Sequence, residues 1–115
     1  MDICFEGIGQ TAATFRAESG IGPGMAVTLT GSGTVGLGED GDPPCGVALG
    51  GARGGAAAVQ IGGAAKVGWS GDTLPAGWQS LACDGQGGVK TVSAGGVKWL
   101  VLAVDEDDKT AVVKL

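Results

Sequence analysis

The chain contains no histidine, no tyrosine and no asparagine, and only 4% of it is aromatic. Each absence removes a class of chemistry. Without an imidazole, none of the five serines has a base to activate it, so Ser-His or Cys-His nucleophilic catalysis lacks a partner. Lys66 and Ser70 fall on one face of an extended strand, yet about 13 Å apart at ~3.3 Å per residue, too far for a Ser–Lys pair. Cys4, Cys45 and Cys83 are odd in number and widely spaced, form no C-x-x-C, and have no histidine to complete a metal site. They read as reduced, small hydrophobic residues of an intracellular protein, with one disulfide plus a free thiol as the other reading. Basic charge is also scarce. A net charge of −5 and a pI near 4.4 argue against nucleic acid and against anionic membranes as partners. Met1-Asp2 opens no basic n-region, and no apolar run is long enough to span a bilayer. The expectation is therefore a protein made in the cytosol with no catalytic, cofactor-binding or metal-binding residues, one that works by its surface.

What the chain has in quantity is glycine, 25 of 115 residues, set between short runs of Val, Ile, Leu and Ala. Glycine turns the chain at positive φ and weakens helix interiors. A turn every eight to twelve residues with Val-rich runs between them predicts an all-β fold, a small single-domain barrel or sandwich of short strands. Met25–Thr30 alternates as a half-buried strand does, and Gly31-Ser32-Gly33 turns it into Thr34–Leu37. Further strands are expected at Cys45–Leu49, Ala57–Ile61, Ala64–Trp69, Trp78–Cys83, Val89–Val92, Val97–Val104 and Thr110–Leu115. Gly62-Gly63 reads as a tight hairpin joining two of them. Residues 1–21 hold no clear period. They are expected to form an extended N-terminal arm ahead of a β domain over 22–115, with a short strand at Ile3–Phe5 and a weak helix candidate at Thr11–Ser19. Both phenylalanines lie in this arm, which makes Phe5, Phe15 and Arg16 candidate partner contacts.

Three local motifs have plainer explanations. Gly31 to Gly36 spells G-x-G-x-x-G, but Leu-Gly-Glu-Asp-Gly-Asp-Pro-Pro follows, and no helix can open there to hold a pyrophosphate. Asp105-Glu106-Asp107-Asp108 lacks the spacing and glycine of an EF-hand and reads as a solvated hairpin turn, as do Glu39, Asp40 and Asp42. Trp99 sits inside the longest apolar run and is expected in the core. Trp69 and Trp78 stand beside turns and read equally as core-edge residues or as subunit contacts.

Taken in order, these signals resemble a known pattern. Gly24-Met25-Ala26-Val27-Thr28-Leu29 is followed by Asp42-Pro43-Pro44-Cys45-Gly46-Val47-Ala48. Ala58-Val59-Gln60-Ile61-Gly62-Gly63-Ala64-Ala65-Lys66-Val67 comes next. Leu74-Pro75-Ala76-Gly77-Trp78, then Leu81-Ala82-Cys83-Asp84-Gly85-Gln86-Gly87, lead to a closing Thr110-Ala111-Val112-Val113-Lys114-Leu115. From about Gly22 to Leu115 the chain resembles the capsid decoration, or cement, proteins of tailed bacteriophages and prophages. The resemblance implies a structural protein of the virion exterior, made in the bacterial cytoplasm. It would bind the major capsid protein lattice and stabilise the head, as a homotrimer. The residues point the same way: large apolar side chains are scarce, glycine is abundant, and a subunit of that kind gains by burying Trp69 or Trp78, which lie near turns, against a symmetry mate. A β-rich tail or baseplate module is the alternative. A biotinyl- or lipoyl-type carrier fits less well. It needs a lysine at a hairpin tip flanked by Met or Asp, which Lys66 and Lys90 lack, and Lys109 beside Asp108 has no apolar partner.

Overall fold

The computed structural model describes residues 10–51 and 53–115, and among them there are ten β-strands and no helix. The protein is all-β. Strands β1 (Thr11–Ala17), β2 (Ala26–Gly31), β3 (Thr34–Leu37), β4 (Gly46–Ala48) and β5 (Ala56–Gly62) close a barrel in the order β1-β3-β2-β4-β5. Strands β6 (Ala64–Gly68), β7 (Gly77–Cys83), β8 (Val89–Thr91), β9 (Val97–Asp105) and β10 (Thr110–Lys114) form a second sheet in the order β6-β10-β9-β7-β8. The segment Gly31 to Gly36 is the β2–β3 hairpin, turned at Gly33 with φ of 64°. In the barrel every pairing is antiparallel except that of β1 with β3.

The two sheets trace the same path. Replacing β1 to β5 by β6 to β10 converts every antiparallel pairing of the barrel into a pairing of the second sheet. The remaining, parallel contact has its counterpart too. Ala17 pairs with Val35 in the barrel, and Trp69 forms an isolated parallel bridge to Val89, with Ser70 N donating to Val89 O at 2.9 Å. A constant shift along the chain carries the buried Val27, Val35, Ala57 and Val59 onto the buried Leu81, Val89, Ala111 and Val113. It also sets Ala56-Ala57-Ala58-Val59-Gln60-Ile61 against Thr110-Ala111-Val112-Val113-Lys114-Leu115. The chain is thus an internal duplication of one five-stranded unit. Its strands alternate inward Val and Leu with outward polar or small residues, as one-sided burial requires.

The halves are packed into one body. Ala26 and Val47 of the barrel join the core of the second sheet, built on Trp69, Leu81, Trp99, Val101 and Val113, while Ile21, Val27, Val35, Ala48 and Val59 form the barrel core. Backbone hydrogen bonds cross between the halves: Ala26 N to Gly87 O at 2.8 Å, Cys83 N to Asp42 O at 2.7 Å and Gly41 N to Cys83 O at 2.9 Å. A Lys90–Asp40 ion pair adds to them.

Two sequence expectations change here. Gly62-Gly63 does not join a hairpin, because β5 pairs with β1 and β4 whereas β6 pairs with β10. It is the link between the two units. The buried Gln60 holds it, its Nε2 donating to Gly62 O at 3.0 Å and to Ala64 O at 2.9 Å. The segment expected as arm or weak helix is also different. Thr11–Ala17 is barrel strand β1, in register with β5 from Thr11 to Arg16. Its alternation is hidden because Ala12, Ala13 and Ala17 occupy both faces, and only the sheet shows which face is inward. The expected strand Ile3–Phe5 and Cys4 lie outside the described residues.

Candidate interaction surface

The candidate contact residues separate once placed. Phe5 lies outside the described residues. Phe15 points from β1 into the barrel and packs half-buried against its core, so its ring is not offered to a partner. Arg16, its neighbour on the strand, is exposed. Trp69 is only 4% exposed. Its Nε1 donates to Thr110 O at 3.1 Å, and the Lys109 ammonium lies 4.0 Å from the ring centroid. This places Trp69 in the core rather than at a subunit contact. The reason is the duplicated topology: the residue after β6 sits where β6, β8 and β10 converge. Trp99 is likewise buried, as its apolar run predicts. Trp78 is the opposite, 64% exposed on β7.

Trp78 does not stand alone. On the outer face of the second sheet it is in register with Leu100 of β9, which is in register with Lys114 of β10. Lys98, two residues before Leu100 and paired with Ser80, shares that face, as does Val112, paired with Lys66 of β6. An indole, two aliphatic side chains and three lysines therefore occupy one side of a sheet in a chain that is acidic overall. The exposed indole and the half-covered leucine make a small apolar centre, and the lysines, whose stems lie on the same face, a charged rim, an arrangement compatible with docking on another protein. The alternation of Lys98 and Leu100 is legible in the sequence. Their meeting with Trp78 and Lys114 is not, because it depends on which strands pair.

A groove of about 640 Å³ separates the halves on the side of β4 and β6, lined by Val47, Leu49, Gln60, Ala65, Lys66 and Thr110 among others. Its walls are aliphatic side chains and backbone together with the polar side chains of Gln60, Lys66 and Thr110. Among the described residues no group of His, Cys, Asp and Glu is placed to hold a metal ion, and no buried side-chain polar atom lacks a partner. Of the described thiols, neither Cys45 nor Cys83 is shifted by a cation. Burial raises Cys45, and burial followed by the charges of Asp42 and Asp84 pushes Cys83 up to about 11, so both are protonated at neutral pH.

Comparison with protein-family models and with curated proteins finds no match for this chain.

Proposed function

We propose that the chain is a capsid decoration protein that binds the outside of a phage head, contacts the major capsid protein and works as a homotrimer. The observation that carries this reading is the exposed Trp78 face on a small all-β body. Leaving an indole in water and then covering it with a partner is worth about 2 kcal/mol for one side chain, before its neighbours are counted. The order of sequence signals supports the reading as well, since the segments that resemble the cement proteins fall on β2, β4 to β7 and β10 and on links beside them, while β9, with Lys98-Trp99-Leu100, departs from the pattern. A cement protein has to be rigid and needs no reactive groups. A duplicated β body with Cys45 and Cys83 held protonated and a docking face suits that work.

The test is direct. Purified protein is mixed with expanded heads that lack it, and the particles are imaged. The reading expects added density on the outer surface at local threefold positions and heads that withstand heat or low salt better. Heads that stay bare at saturating protein refute it.

A further inference from the structure

The chain has only two arginines, and the fold sets them side by side. Arg16 of β1 is the register partner of Ala56 of β5, and Arg53 in the β4–β5 connection forms an isolated bridge to the same Ala56. Residues directly opposite in a sheet project to the same side, so Arg16, Ala56 and Arg53 make one row, with the arginines about two strand spacings, ~10 Å, apart. Two residues further on, Thr14 pairs with Ala58, and Leu49 N donates to Ala58 O at 2.9 Å. Ala56 and Ala58 carry only methyl groups between larger neighbours. The result is a trough of about 400 Å³ with an alanine floor and with Thr14, Leu49 and Arg53 on its walls. The Arg53 backbone is fixed by hydrogen bonds with Ala56 in both directions, at 2.8 and 3.0 Å. Among the described residues neither guanidinium has a carboxylate within salt-bridge distance, and the Glu18 carboxylate lies over Gly36 instead.

The duplication supplies the complement. The connection that carries Arg53 joins β4 to β5, and its counterpart joins β9 to β10. That counterpart is Asp105-Glu106-Asp107-Asp108-Lys109. Asp105 is engaged inside the turn, where its Oδ1 accepts from Asp107 N at 3.0 Å and Asp108 N at 3.1 Å. Lys109, the turn's one cation, is drawn away, its Nζ donating to Gly71 O at 2.8 Å above the Trp69 ring. Glu106, Asp107 and Asp108 are left exposed on a hairpin whose shape is already set. Equivalent loops of the two halves thus carry opposite charge, on a molecule whose net charge of −5 makes the arginine pair a local exception.

We infer that the trough walled by Arg53, with Arg16 beyond Ala56 in the same row, receives the acidic β9–β10 hairpin of a second copy. The contact is head-to-tail, first half against second half, and such contacts close into rings when the rotation allows. It deepens the trimer part of the function proposed above. Complementary charge across the interface fixes register and speeds encounter.

Sedimentation of the full chain tests it. The unchanged protein is expected to associate at low salt and to dissociate as the screening length falls from about 10 Å at 0.1 M to about 3 Å at 1 M. R16E/R53E and D107K/D108K are each expected to weaken association at least about tenfold, and the four substitutions combined in one chain are expected to restore it. All four positions are exposed, and circular dichroism checks that each variant is folded; if a reversal unfolds the chain, R16Q/R53Q reads the same contact. A monomer at low salt, reversal variants that sediment like the unchanged protein, or a combined variant that fails to recover would each overturn the inference. Heads decorated by a chain that stays monomeric, or decoration lost in R16E/R53E without any self-association, would overturn it while leaving the capsid reading in place. A salt-sensitive oligomer that leaves heads bare would support this contact and refute the capsid reading.

Discussion

Replacing Trp69 separates a core indole from a surface one with a single residue. Trp69→Ala removes a ring that is 4% exposed, one hydrogen bond and one cation–π contact. Truncating a buried aromatic costs about 3–5 kcal/mol, most of it from lost transfer energy and the cavity left behind. Trp69→Phe keeps part of the ring volume but leaves the Thr110 carbonyl without its donor. It should cost about 1–3 kcal/mol, the penalty of an unsatisfied buried group plus imperfect filling. Lys109→Met removes the ammonium above the ring. Its coupling to Trp69 in a double-mutant cycle should be about 0.5–1 kcal/mol, since the lysine is exposed. Against a total stability of about 5–15 kcal/mol for a domain of this size, Trp69→Ala alone approaches the limit of folding. Urea denaturation followed by far-UV circular dichroism measures all three. A loss below about 1 kcal/mol for Trp69→Ala, with the oligomer altered instead, would refute the placement of Trp69 at the β6, β8 and β10 junction.

Other outcomes follow from particular contacts. Trp78→Ala should melt within about 0.5 kcal/mol of the unchanged protein, as surface substitutions do, yet lose binding to its partner; a core-like loss of stability with intact binding would remove Trp78 from the docking face. Gly46→Ala would press a methyl group onto the Gln60 carbonyl and to within 2.7 Å of Val59 Cγ1, where β4 crosses β5, so denaturation should show a loss of about 1–3 kcal/mol or more. Cys83 gives a pH dependence. Its thiol ionises near the ordinary 9.0 when unfolded and at about 11 when folded, so its contribution is complete below pH 9 and is lost between pH 9 and 11. The loss should reach about 2–3 kcal/mol relative to Cys83→Ala, and equal alkaline slopes for the two proteins would contradict it.

The sequence by itself determined that this chain folds as strands. Period-2 alternation and glycine punctuation are local signals, written within a few residues, and the expected strand at Thr34–Leu37 coincides with β3 while eight others match β2 and β4 to β10 to within one residue at each end. The core position of Trp99 was legible for the same reason, because a long apolar run has to be buried somewhere. Strand β1 was not, since alanine on both faces erases the alternation that would mark Thr11–Ala17. Pairing was decided only in the tertiary structure. Gly62-Gly63 looks like a hairpin to any local rule, but β5 pairs with β1 and β4 and β6 pairs with β10, so the glycines became a link. The burial of Trp69, the assembly of Trp78 with Leu100 and Lys114, and the meeting of Arg16 with Arg53 across Ala56 all rest on long-range register. Register is set by which inward faces fill which core, a property of the whole chain that no window of residues contains.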